Sequence, residues 1–287
     1  MRKKEKYIEY DYEGMFVSNT NLLNEWMIEQ MIKNRHARVI YATKEFKMRE
    51  NLDIEIYPEF TKKDIEEYKV KKVNKKAKNK LNDSNSRKHV TRLINKNFGD
   101  GDVWATFGYD SKYLPSNIDK AQTDMGNYIR RVNYRLKKMG KEKAKYVYIT
   151  EYSKKEDIRF HLHLIIKCDL SMDELEEMWK YGRRNHLRKI ERDEYGIVGL
   201  CRYISKAKKT VKYEKRWRSS KNLEKVTYKK NHYKFKRRKV EEMVRNNNII
   251  QEYMEKTYRE YRFLDAETKY NEINGMWYIS ARMRKRI

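Results

Sequence analysis

Two histidines, His161 and His163, are one residue apart in the apolar run FHLHLII. Such a run predicts a buried strand, on which residues i and i+2 project from the same face. Two neighbouring imidazoles on one face are typical of a divalent-metal site, because they would otherwise repel each other whenever both were protonated. The pair alone also fits two hydrogen-bonded core histidines, or a chance occurrence.

The preceding strand offers a third ligand. The segment KYVYITEY places Glu151 near its end, before the turn SKKED and the histidine run. If the two strands pair through that turn, Glu151 reaches the histidine face; the alternative is a solvated strand-end glutamate. Two imidazoles and one carboxylate leave coordination positions open, as a catalytic metal site requires. We expect Mg²⁺ or Mn²⁺ rather than Zn²⁺, since no cysteine joins the set.

A candidate nucleophile follows in GIVGLCRYISKAKK, whose apolar spacing predicts an amphipathic helix. Tyr203 and Lys206 are three residues apart, on the same side of that helix. Only about a thousandth of an ordinary tyrosine is phenolate at neutral pH. A metal and a nearby ammonium would each lower the barrier to its attack on a phosphate. The Tyr-x-x-Lys pattern recurs elsewhere in the chain, so position, not pattern, singles out Tyr203.

In this order the motifs resemble those of the HUH endonucleases, specifically the rolling-circle replication initiator (Rep) proteins with a single catalytic tyrosine. Those proteins carry a strand with a threonine in an apolar core, then histidine-hydrophobe-histidine, then a helix with Tyr-x-x-Lys. The corresponding segments here are VWATFGY, FHLHLII and YISK. The resemblance spans residues 88–223, including LINKNFGDGD and RWRSSKNL. It departs from the usual pattern in ATFGY, which lacks a second threonine.

The resemblance implies an RRM-like antiparallel sheet. His161, His163 and Glu151 would be its metal ligands, Tyr203 its nucleophile and Lys206 a helper. The implied reaction is metal-dependent nicking of single-stranded or hairpin origin DNA, which gives a 5′-phosphotyrosine link and a free 3′-hydroxyl. Host helicase and polymerase are the implied partners, and the oligomeric state stays open. The alternatives are a transposase or relaxase with the same chemistry, or a non-catalytic DNA-binding origin protein.

The charge balance also favours a polyanionic partner. Sixty-nine Lys and Arg residues against 42 Asp and Glu give a net charge of +27, which points to nucleic acid before a membrane surface. Cations and aromatics alternate after the tyrosine helix, an arrangement that suits single-stranded DNA. The candidate DNA-binding residues there are Lys208, Lys209, Arg216, Trp217, Arg218 and Lys221.

The organisation of the chain predicts an α+β fold, with helices packed on a central antiparallel sheet. We expect an HUH endonuclease domain over residues 86–225, a basic region over 1–85 and a basic extension over 226–287. No apolar run approaches the roughly 18 residues that span a bilayer. Cys168 and Cys201 have no paired-ligand spacing and suggest reduced thiols. A cytoplasmic location, in a bacterial host, is therefore expected.

Overall fold

The computed structural model describes residues 7–8, 39–61, 75–153, 158–197, 217–271 and 276–286. It divides into two compact units, residues 87–225 and residues 1–86 with 226–287. The described residues form an α+β fold in which every strand pair is antiparallel, so the predicted fold class is confirmed. No helix in the described parts of the chain is long and apolar enough to cross a membrane.

The strands and helices are named in chain order. The strands are β1 (Tyr7–Ile8), β2 (Ile40–Met48), β3 (Asn51–Thr61), β4 (Val103–Phe107), β5 (Lys145–Ser153), β6 (Ile158–Lys167), β7 (Asn185–Lys189), β8 (Arg218–Ser219), β9 (Lys229–Asn231), β10 (Tyr261–Asn271) and β11 (Met276–Lys285). The helices are α1 (Lys75–Asn97), α2 (Ile118–Lys138), α3 (Met172–Glu177), α4 (Arg237–Arg245) and α5 (Asn247–Thr257).

The sheet of residues 87–225 has the strand order β7-β4-β6-β5-β8. Its core face is formed by alternate residues of the strands, including Leu162 and Leu164 of β6, which are fully buried. Helix α2 begins at Asn117, whose side chain accepts a hydrogen bond from the Lys120 N–H at 2.9 Å. The apolar residues of α2 belong to the same core cluster. Each fully buried leucine there stabilises the fold by about 1.5–3 kcal/mol.

The opposite face of this sheet carries the histidines. Strands β5 and β6 pair in the register expected for a hairpin, with Glu151 opposite His161 and Ile149 opposite His163. Thr106 of β4 lies opposite His163 on the other side. Because directly opposed residues share a face, the register brings Glu151 and Thr106 to the two histidines. We call this surface the site face.

Strand β7 was not predicted from the sequence, because NHLRK contains a single apolar residue. It pairs with β4 at the edge of the sheet. Two glycines allow the approach. A Cβ on Gly182 would lie 2.5 Å from the Gly108 oxygen, and a Cβ on Gly108 would lie 2.9 Å from the Arg184 oxygen. Larger residues there would push the entry to β7 away from the end of β4.

The other unit joins the two ends of the chain. Its sheet has the order β10-β11-β3-β2-β9, and β1 pairs with β3. Helices α4 and α5 share an apolar core with this sheet, in which Ile54, Met243 and Met254 are fully buried. The predicted strands ARVIYAT, LDIEIYPEF and NGMWYISARM correspond to β2, β3 and β11. Strand β10 and both helices were not anticipated.

Candidate metal centre

The carboxylate of Glu151 contacts both histidines of β6. One of its oxygens, Oε2, lies 2.9 Å from His161 Nε2 and 3.1 Å from His163 Nε2. The two imidazole rings are nearly perpendicular, with centroids 4.8 Å apart. One ligand atom from each residue lies within 4.8 Å of the others, so the group could hold a metal ion. The convergence arises from the i, i+2 spacing and the β5–β6 register, as the sequence predicted.

The site is open on one side. His163 is 3% exposed at its side chain, whereas His161 is 25% exposed and Glu151 24% exposed. One imidazole is therefore fixed in the protein interior, while the other two ligand side chains face solvent in part. A metal held here keeps positions accessible to a substrate, which distinguishes a catalytic site from a closed structural one.

Electrostatics couple the carboxylate to the imidazoles. Hydrogen bonds from His161 and His163 lower the pKa of Glu151 to about 2, against a smaller opposing effect of burial. Burial opposes the charged form of His161, but its hydrogen bonds to Glu151 and to the Arg159 carbonyl together raise its pKa. In the metal-free protein, protons on the imidazoles neutralise a carboxylate that stays ionised.

The tautomer of His161 is set by its second nitrogen. Nδ1 lies 2.9 Å from the Arg159 carbonyl oxygen, which accepts only, so Nδ1 carries a proton. A neutral His161 therefore has its lone pair on Nε2, directed at Glu151. A cation between Nε2 and the carboxylate would replace the bridging proton, and this donor set of two nitrogens and one oxygen fits a divalent metal.

Thr106 holds the second histidine, and the sequence left its role unassigned. Its Oγ1 lies 3.1 Å from His163 Nδ1. With Nε2 directed at the site, Nδ1–H donates to the threonine hydroxyl and fixes the ring orientation. Residues that hold the second nitrogen of a ligating histidine tune metal affinity. Strand register, not motif length, identifies this residue, since Thr106 is the residue of β4 opposite His163.

The remaining predicted site residues fall in two groups. Tyr203, Lys206, Lys208, Lys209 and Arg216 lie outside the described residues, as do Cys201 and the helix predicted from GIVGLCRYISKAKK beyond residue 197. Trp217, Arg218 and Lys221 are described.

The described residues of this predicted DNA-binding segment do not share a face. Arg218 lies opposite Tyr148, a residue of the core cluster, and its guanidinium donates to Gln122 of α2. It is therefore on the α2 side of the sheet, away from the site face. The Trp217 ring is 5.8 Å from that of His89, in α1. Lys221 is exposed in the turn after β8.

Comparison with known proteins places the site in a family. Residues 102–208 match the family model of the replication-associated protein ORF2. No curated protein and no solved structure matched the chain. The matched segment contains Thr106, Glu151, His161 and His163, as well as the predicted Tyr203 and Lys206. Residues 102–208 therefore belong to the replication-associated protein ORF2 family, a rolling-circle Rep family of the HUH type.

Proposed function

We propose that this protein initiates rolling-circle replication by nicking and rejoining single-stranded DNA at the origin of a plasmid, phage or mobile element. The observation that carries the proposal is the convergence of Glu151, His161 and His163 on an open sheet face, within a segment that matches a Rep family. A divalent metal bound there, Mg²⁺ or Mn²⁺, would act as a Lewis acid toward a phosphoryl oxygen.

Tyr203 is the proposed nucleophile, on the basis of its sequence position alone. Its phenol oxygen attacks the scissile phosphorus, a P–O bond to tyrosine forms, and the bond from phosphorus to the 3′ oxygen breaks. The phenol proton passes to solvent, and the departing 3′ oxygen takes up a proton to become a hydroxyl. Lys206 supplies positive charge that stabilises the phenolate.

Reversal of the same step rejoins the strand. The 3′-hydroxyl attacks the phosphotyrosine, the P–O bond to Tyr203 breaks, and the phenol regains its proton. Between the two steps the free 3′-hydroxyl is a primer for a host polymerase, while a host helicase would separate the strands. The covalent link to Tyr203 preserves the energy of the phosphodiester bond, so rejoining needs no external energy source.

The proposal is tested by denaturing electrophoresis with Mn²⁺ and a labelled strand that spans the origin hairpin. The wild-type protein should form a covalent adduct. Tyr203→Phe keeps the ring but removes the hydroxyl, so it should bind the strand and form no adduct. Lys206→Ala should retain some cleavage, because a helper cation changes a rate while the nucleophile makes the bond.

A matched control is Tyr233→Phe. Tyr233 is 85% exposed and also precedes a lysine by three residues, so the pattern is preserved while the position changes. Its variant should form the adduct at full strength. A full-strength adduct from Tyr203→Phe would place the nucleophile elsewhere. Retardation of the strand by the wild-type protein without any adduct would favour the non-catalytic DNA-binding alternative.

A further inference from the structure

Strand β7 presents basic side chains at the edge of the site face. His186 lies opposite Thr106, whose other neighbour is His163. The order across this face is therefore His163, Thr106, His186. Neighbouring strands are about 4.8 Å apart, so the backbones at His186 and His163 are separated by ~10 Å. Residues of β7 are thus close enough to contact a strand of DNA that occupies the metal centre.

Arg188 is oriented toward the same face. Its guanidinium carbon lies 4.2 Å from the centroid of the Trp104 ring, and that ring is 6.3 Å from the His163 ring. A guanidinium stacked on an indole is held in one orientation while its N–H donors stay available at its edge. Arg188 is exposed, so those donors face solvent beside the metal centre.

The cations of β7 are not neutralised by the protein. Arg184, at the same alternate spacing before the strand, is exposed, as are His186 and Arg188. Neither Arg184 nor Arg188 forms an ion pair with a carboxylate of the described residues. By contrast, Arg183 pairs with Asp110 at 3.6 Å and Arg192 pairs with Asp100 at 3.2 Å. An uncompensated basic row beside an open metal site fits a polyanion.

We propose that β7, through Arg184, His186 and Arg188, binds the phosphate backbone of the single-stranded substrate beside the scissile phosphate. This proposal rests on the proposed function, because it assigns the substrate's path across the site face. It replaces the expectation for Arg218, which contacts Gln122 on the other side of the sheet. Backbone contacts of this kind fix the position of a strand without reading its sequence.

The test is fluorescence anisotropy of a labelled oligothymidylate over a range of NaCl concentrations. Each phosphate contact contributes about −0.7 to the slope of log K against log salt for single strands. Arg184→Ala with Arg188→Ala should therefore flatten the slope by about 1.4 and weaken binding roughly tenfold or more. Arg188→Lys should keep the slope, since the charge remains, but weaken binding because the stacked fork is lost.

The matched control is Arg130→Ala with Lys137→Ala, which removes the same charge from exposed residues of α2 on the opposite side of the sheet. The control should leave the slope unchanged. An equal flattening in the control and the β7 variant would overturn the proposal, because general charge would then explain binding. A slope unchanged in the β7 variant would also overturn it.

Two further readings separate this proposal from the proposed function. Mn²⁺ affinity by calorimetry should be unchanged in the β7 variant, which shows that the fold and metal centre are intact. A wild-type protein that forms no adduct, but whose slope depends on β7, would defeat the nicking function and leave the DNA surface standing. A wild-type protein that forms the adduct, with no slope change in the β7 variant, would retain the nicking function and reject the β7 surface.

Discussion

Each unit of this protein contains a carboxylate bound by histidine, and the two sites differ in what surrounds it. Glu151 Oε2 lies 2.9 Å from His161 Nε2, and in the other unit Glu59 Oε2 lies 2.9 Å from His232 Nε2. Glu59, however, is 0% exposed and also forms an ion pair with Lys230. The Tyr57 hydroxyl donates to it at 3.3 Å. Glu151 has only imidazole partners among the described residues, and it is 24% exposed.

This difference separates a structural site from a functional one. A lysine cannot be replaced by a metal, and its ammonium already compensates the buried Glu59 carboxylate. Strand β9 is thereby fastened to its sheet, and Lys234 reinforces it through an ion pair with Glu45. At Glu151 the only compensating charges are protons on imidazoles, and a divalent cation can displace these protons. The distinction lies in the second partner and the exposure, not in the histidine–carboxylate pair.

The largest expected effect comes from removing each charge without changing its shape. Glu59→Gln leaves Lys230 without its counterion in a buried site. It should lower the free energy of unfolding by about 2–4 kcal/mol, near the lower end of the range for broken buried pairs, because Lys230 is 30% exposed. Mn²⁺ affinity should not change. Urea denaturation and calorimetry measure the two quantities.

Glu151→Gln should show the reverse pattern. Neutral histidines need no counterion, so the free energy of unfolding without metal should change by less than about 1 kcal/mol. Mn²⁺ affinity should fall by more than the roughly 10–100-fold that loss of an outer hydrogen bond causes, because a ligand itself is lost. If Glu151→Gln destabilised the protein as much as Glu59→Gln, the two carboxylates would both be structural and the comparison would fail.

An intermediate effect is expected from the residue that holds His163. Thr106→Val removes the hydroxyl that accepts from Nδ1 and should weaken Mn²⁺ binding about 10–100-fold. Thr106→Ser keeps the oxygen and should stay close to wild type. Thr150→Val is the matched control, since Thr150 lies opposite Leu162 on the core side and its hydroxyl has no hydrogen-bond partner in the described residues. A Thr106→Val protein with wild-type affinity would remove the threonine from the site.

The smallest effect is expected at the structural site. Tyr57→Phe removes the 3.3 Å hydrogen bond to Glu59 and keeps the ring. Because Lys230 and His232 still compensate the carboxylate, the free energy of unfolding should fall by only about 0.5–1.5 kcal/mol. Urea denaturation would show it as a shifted midpoint with an unchanged slope. A loss as large as that of Glu59→Gln would mean that the hydroxyl, rather than the lysine, compensates Glu59.

The metal centre was predictable because its spacing is local. His161 and His163 share a face by strand alternation, and Glu151 joins them through a hairpin whose two strands are adjacent in sequence. The α2 and α3 helices were equally accessible, since Asn117 and Ser171 cap apolar-periodic segments. In each case the information needed lies within about a dozen residues.

The rest depends on contacts between distant segments. Thr43 of β2 pairs with Asn231 of β9, and no periodicity in either segment specifies that partner. The sequence therefore suggested two separate terminal regions where the structure shows one sheet. Strand β7 escaped prediction for a related reason: a polar edge strand with one apolar residue becomes a strand only because β4 accepts it. With β7 unpredicted, the basic row at Arg188 was unpredicted too.

The central claim is that His161 and His163 bind a divalent metal together with Glu151. Isothermal titration of Mn²⁺ into the wild-type protein and into His161→Ala with His163→Ala tests it most directly, with urea denaturation as the check that the variant is folded. The account predicts one Mn²⁺ bound per wild-type chain and loss of that binding in the folded variant. Unchanged Mn²⁺ affinity in the folded variant would contradict it.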